Sequence, residues 1–221
     1  MMEPLRVSVR LQSGYVAADP WSPSLDGILA YWVMREQLGD EAFAISSAGG
    51  GEMITPDLPL AREDDGEGNW WWVCSSPLVA QSMRHDTWHH RRFDFALGID
   101  RVNPKTKRVQ VQGGPFKAYR NRVTKIIPLD RHIHWHCIGD RDEITRLLRR
   151  LTFVGAKGGA GEGVVLGVEV TPDGADELLA RNHRPLPVSV AMERGLAGAV
   201  AVYGIRPPGR IPAHQTRCVL P

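Results

Sequence analysis

The chain has 221 residues, 43% of them hydrophobic and 24% charged, a globular composition that suits one ordinary domain or two small ones. Its three cysteines, Cys74, Cys137 and Cys218, are odd in number and far apart, which excludes a readable disulfide framework or zinc knuckle. The formal charge of +2 is small, the opening MMEPLRVSVR lacks an apolar signal core, and no uncharged stretch reaches the ~20 apolar residues of a membrane helix, so a reduced, cytoplasmic protein with no membrane partner is expected.

Residues 5–11, LRVSVRL, alternate apolar and polar and predict a strand. After the turn residues Asp19-Pro20 and Ser22-Pro23, Ser24 stands where a cap belongs for a helix over 25–38, LDGILAYWVMREQL. Gly39 lies just beyond its end, and Gly27 in its first turn invites a close contact. An acidic loop, REDDGEGN, leads to WWWVC at 70–74, a predicted strand with Trp70 and Trp72 on one face and Trp71 on the other. Three such tryptophans read as core plus sheet surface before they read as a binding platform.

Residues 76–128 are turn-rich, with Gly113-Gly114-Pro115 in the middle and RVQVQ before it as one arm of a hairpin. The charge is segregated around this segment. Residues 1–70 hold 4 Lys/Arg against 12 Asp/Glu, whereas residues 84–125 hold 11 against 3. The basic run also carries Trp88, Phe93, Phe95, Phe116 and Tyr119 and histidines 85, 89 and 90. A solvated face would explain the charge alone; interleaved aromatics fit phosphates and unstacked bases. The segment reads as an inserted basic arm.

RHIHWHCI, 131–138, predicts another strand, and Asp140 with Glu143 resembles a capping pair for a helix over 141–151 with apolar face Ile144, Leu147, Leu148 and Leu151. FVGAKGGAGEGVV follows, with five glycines between Gly155 and Gly163 and one lysine, Lys157, before a strand over 164–170. The Walker A and G-x-G-x-x-G patterns both fail here, and the helix precedes the loop instead of following it. The glycines still allow close approach of an RNA backbone, the alternative being a flexible linker. The order strand, helix, strand, insertion, strand, helix, Gly-rich loop, strand is the split β-α-β order of a ferredoxin-like, RRM-like α+β fold. The aromatic signature of a true RNA recognition motif is absent from the sequence. Residues 171–221 are Pro-rich and read as an irregular C-terminal extension of a single domain spanning 1–221.

Two catalytic or metal constellations are open on residue types alone. His132, His134 and His136 share a strand face and could ligate zinc in a metal-dependent hydrolase, although no carboxylate stands at a telling position beside them. His85, His89 and His90, with Tyr119 or Lys117, could serve as base and acid in metal-free RNA cleavage.

RLLRRLTFVGAKGGAGEGVVLGVEV resembles the helix, Gly-rich loop and strand of the RAMP proteins of CRISPR systems. WSPSLDGILAYWVMREQLGD, LPLARE, WWWVCSSP and HRPLPV…GIRPPGR are similar to the Cas five-like subunit of type IV CRISPR effector complexes, over most of the chain. The resemblance implies a RAMP fold with 76–128 as a thumb-like insertion. It implies a non-catalytic subunit that caps the 5′ handle of the CRISPR RNA, contacts a Cas seven-like backbone subunit and a large subunit, and lies near the flanking motif of target DNA. The rival within the same superfamily is an endoribonuclease that processes precursor CRISPR RNA. Charge and position in the arm select Arg84, Arg91, Arg92, Lys117, Arg120 and Arg122 for phosphates and Trp88, His89, His90 and Tyr119 for stacking. Gly155, Lys157, Gly158, Gly159, Gly161 and Gly163 are expected along the RNA backbone, with no cofactor and no metal.

Overall fold

The structure, a computed structural model, describes residues 1–39, 55–91, 98, 108, 110–112, 118–174 and 176–221. It is α+β, with small antiparallel sheets and, among the described residues, four α-helices. The first sheet has the order β7–β1–β8, with β1 at Met2–Leu11, β7 at His132–Asp140 and β8 at Val165–Pro172. Alternation along β1 buries Leu5, Val7, Val9 and Leu11 and turns Arg6 and Arg10 outward. Ile133, Trp135 and Cys137 of β7 join the same buried face.

Two helices cover that face. α1 spans Leu25–Leu38 as expected, capped by Ser24, whose hydroxyl accepts from the Gly27 amide. The close contact at Gly27 is the cap itself, since a Cβ there would stand 2.9 Å from the Ser24 Oγ. α2 spans Arg141–Leu148, three residues shorter than expected. The Asp140 side chain caps it by accepting from the Glu143 amide at 3.1 Å, but Glu143 does not complete a capping box and pairs with Arg146 instead. Arg146 also grips Glu36 of α1 through two hydrogen bonds of 2.8 Å. The chain leaves α2 in tight turns at Arg149–Leu151 that lead directly into the glycine loop.

The Trp triplet is β4, Trp70–Trp72, paired with β3, Arg62–Asp64. Its two faces serve two cores, not a core and a surface. Trp72 packs into the main core beneath α1 and α2, with Trp70 against it, while Trp71 is fully buried in a second cluster with Leu186, Ala191, Ile205 and Cys218. Beyond β4 the chain touches the free edge of β7 through isolated bridges, Cys74 to Cys137 and Leu78 to His134.

Two expected irregular segments are regular. Residues 76–128 contain a ribbon of β5, Ser82–Arg91, and β6, Tyr119–Pro128, paired over their full length, with β2, Tyr15–Val16, on the other edge of β6. A ribbon exposed on both faces buries no alternate residues, so hydrophobic periodicity could not announce it. RVQVQ, expected as a hairpin arm, is described at Arg108, Gln110, Val111 and Gln112 and forms no strand at those residues, although the Val111 oxygen accepts from the Ala118 amide at 2.8 Å. Residues 171–221 hold α3, Glu177–Asn182, β9, Leu186–Pro187, α4, Val188–Glu193, β10, Ala199–Gly204, and β11, Gln215–Leu220. These elements are short, and prolines mark their joints, which is why they read as loop. No described helix is long and apolar enough to cross a membrane.

Arg184 joins the two cores. Its guanidinium is 6% exposed and donates to the backbone oxygens of Trp72, Cys74 and Ile205, while Nη2 stands 3.4 Å from the Asp26 carboxylate. Arg184→Ala leaves Asp26 buried and unpaired, a change that removes about 3–5 kcal/mol. Urea unfolding should show that loss, with Arg184→Lys recovering only part of it because an ammonium lacks the planar fork.

Candidate nucleic-acid interface

The ribbon roots beside the glycine loop. Val16 pairs with Lys125 of β6 in register, and its backbone oxygen accepts from the Ala156 amide at 2.8 Å. The result is an open cleft of roughly 490 Å3, walled by residues 16–20 on one side, by Arg84, Arg122, Thr124 and Ile126 of the ribbon, and by Ala156 and Lys157 of the loop. Three cations from distant parts of the sequence therefore line one cavity, with Asp19 as the counter-charge in its wall. The Asp19 carboxylate is engaged by the Tyr203 hydroxyl at 3.1 Å.

The ladder sorts the arm residues by face. Trp88 lies opposite Arg122 and His90 opposite Arg120, so these four share one face with Arg84. His89 lies opposite Asn121 on the other face. Of the residues expected to stack on bases, Trp88 and His90 therefore share one face and His89 takes the other, since neighbours on a strand point opposite ways. Arg120 sits over the Trp88 ring at 4.1 Å, and Trp88 is 48% exposed. Arg122 is tied to Asp86, with a 3.0 Å bond from Nε, and Thr124 donates to the same carboxylate at 2.8 Å. These partners hold the Asp86 carboxyl below the usual carboxylate range. Asp86 and the 16–20 wall carried no sequence signal. The backbones of Arg91 and Tyr119 pair at the far end of the ladder; their side chains, with Arg92 and Lys117, lie outside the described residues.

The glycine loop divides into anchors and open positions. Gly155 and Gly163 have φ of 81° and 69°, and a Cβ on either would collide with a backbone oxygen, of Val16 and Val154 respectively. Gly163 also bonds Gly14 at 3.0 Å, and Lys125 meets Glu162 at 2.6 Å. Gly158 packs under the Phe153 ring. Gly159 and Gly161 face open space, beside Lys157, which holds a left-handed φ of 67°. Of the six loop residues selected from sequence, Gly155 and Gly163 thus serve the loop itself, and Gly159, Gly161 and Lys157 are presented outward.

The three strand histidines share the sheet face as expected, but their ligand atoms do not converge. His132 and His134 stack at 5.9 Å, the His132 Nδ1 contacts the Asp130 backbone oxygen, and Arg6 approaches His134 within 3.3 Å. Burial, reinforced by the Arg6 guanidinium, pushes the His134 imidazole down to about 4. His136 turns instead to Asp173, 37 residues downstream, at 2.8 Å.

The sequence model of the family described as CRISPR type IV associated protein Csf3 matches residues 3–210. The chain belongs to that family. No curated protein matches the chain. Csf3 proteins are the Cas five-like RAMP subunits of type IV CRISPR systems, so the chain is a subunit of a type IV CRISPR complex that includes other Cas proteins.

Two outcomes follow from the geometry. Gly163→Ala should fold poorly or lose several degrees in melting temperature, about 1 kcal/mol or more, whereas Gly159→Ala should melt like the parent. His134 is held neutral in the folded chain and ionises near 6.5 when unfolded, so the unfolded state binds more protons between about pH 4 and 6.5. Stability is therefore full above pH 6.5 and falls as pH drops toward 4. Thermal melts across that window should show a steeper fall for the parent than for His134→Gln, by at most about 1.4 kcal/mol per pH unit.

Proposed function

We propose that this subunit caps the 5′ handle of the CRISPR RNA without cutting it, and that the cleft between ribbon and glycine loop holds the RNA backbone. The observation that carries the reading is the convergence of Arg84, Arg122 and Lys157 on one open cavity, with Gly159 and Gly161, which face open space, following Lys157 in the loop. Clustered cations suit phosphates, and the Arg120–Trp88 pair on the same ribbon face offers an exposed ring for a splayed base. The β8–β1–β7 order, with residues 74–78 bridging the outer edge of β7 and two helices on one face, supports a ferredoxin-like RAMP core within a single domain. The ribbon occupies the thumb position. In this reading the subunit works in the cytoplasm, its acidic first 70 residues facing away from RNA or toward basic partners, among them the Cas seven-like and large subunits, near the flanking motif of target DNA.

The endoribonuclease rival would use His89 or His90 with Tyr119 or Lys117, and of the two histidines His90 is the one on the ribbon face of Arg84 and Arg122. A labelled RNA bearing the 5′ repeat handle should bind more tightly than a scrambled RNA, with EDTA present, and run intact on a denaturing gel. The log–log salt slope should be about −0.7 per phosphate neutralised, and Arg84→Ala with Lys157→Ala should flatten it by roughly one to two phosphates' worth. Cut RNA, or equal binding of both RNAs at every salt, would sink the reading.

A further inference from the structure

The face of the β7–β1–β8 sheet turned away from the helices ends in a cluster that the RNA reading does not use. His136 on β7 directs Nδ1 at the Asp173 Oδ2, 2.8 Å away, and the Asp176 Oδ2 stands 3.9 Å from the same nitrogen. One ligand atom from each of the three residues lies within 4.8 Å of the others. We propose that His136, Asp173 and Asp176 bind a divalent transition-metal ion, zinc(II) being the best match.

Four features support a cation site over a plain ion pair. In a tetrahedral zinc site with bonds near 2.0 Å the ligand atoms stand about 3.3 Å apart, and the two measured separations bracket that value. Asp176 is the residue before α3, where an aspartate ordinarily caps the helix, yet its side chain makes no cap bond and faces His136. The exposure is graded, 8% for the His136 side chain, 18% for Asp173 and 46% for Asp176, so the pocket has a closed floor and an open mouth where water completes the coordination. His183, which ends α3, has a solvent-excluded Nδ1 without a hydrogen-bond partner, and it is anchored beside His136, since Ser75 donates to the His136 backbone oxygen at 2.7 Å and Ser76 to that of His183 at 2.6 Å.

Two carboxylates and an imidazole balance a dication. One nitrogen among the ligands favours zinc over magnesium or calcium, which prefer oxygen shells. On coordination the Nδ1–Asp173 hydrogen bond is replaced: the ring proton resides on Nε2 and the Nδ1 lone pair faces the ion. The ion would staple the end of β8 and the start of α3 to β7. The site is independent of the RNA cleft, so it stands or falls without the capping reading.

The test uses the full-length chain, stripped with EDTA, desalted, and titrated with zinc chloride and separately with magnesium chloride by calorimetry. One zinc per chain should bind, with a raised melting temperature, and magnesium should bind at least tenfold more weakly. Asp176→Asn should weaken zinc binding at least tenfold while the metal-free chain melts like the parent, because Asp176 is half-exposed and caps nothing. Asp173→Asn should weaken it similarly, and Asp64→Asn, in the acidic hairpin, should leave it unchanged. Absence of saturable zinc binding overturns the proposal, as does binding that survives both Asp173→Asn and Asp176→Asn.

Discussion

A buried guanidinium is the constraint on which this architecture turns. Taking an arginine out of water is costly unless its charge and its terminal donors are met, and a lone carboxylate would not suffice. Arg184 is met by Asp26 at the start of α1, by the strand that carries the three tryptophans, and by the carbonyl of Ile205. Those partners belong to three separated stretches of chain, so the C-terminal elements can only be seated in one way on the first sheet. The Trp triplet reinforces that seating from the apolar side, because a strand's alternation sends Trp71 into one core and Trp72 into the other. Polar specificity and apolar adhesion thus act at the same joint.

The basic cleft adjoins that joint, since Asp19 in its wall accepts from Tyr203, which packs against the second core. The charges there are arranged, not merely concentrated. Arg122 reaches the cavity already oriented by Asp86 and Thr124, so it loses less side-chain entropy when it meets a phosphate than a loose lysine would. The capping role proposed above would give such a cavity an anionic occupant, the RNA backbone. The polar sheet face on the other side of β1 is different in kind, with histidines, arginines and carboxylates paired against each other in small groups.

Much of this was legible in the residues. The strand at 5–11, the helix after Ser24 and the strand over the histidines all follow from period and capping, which depend on near neighbours alone. The ribbon was not, because His, Arg and Asp on both faces of β5 give no apolar alternation to read. The C-terminal sheet was hidden for a related reason: β10 is apolar yet largely exposed, and Leu186–Pro187 is too short to carry a period. At the candidate site, composition found Arg84, Arg122 and Lys157 but not that they meet, since their convergence is made by β2, two residues long. The role of glycine was half visible. A count of five signals close approach, but only the neighbouring oxygens separate Gly155 and Gly163, where a Cβ would collide with backbone, from Gly159 and Gly161, where it would meet open space.

Val16 has one further consequence. It is bonded to the ribbon through β6 and to the glycine loop through Ala156, so a single backbone residue is the pivot shared by both jaws of the cleft. Beyond Lys125, where Val16 pairs, the ribbon runs six further residues to Tyr119, about 20 Å of lever at the usual rise per strand residue, while Ala156 of the loop is bonded to Val16 itself. A small rotation at Val16 therefore sweeps the outer ribbon through a large arc and hardly moves the glycines. The mechanical advantage favours a gripping motion in which the loop keeps its place and the arm does the travelling.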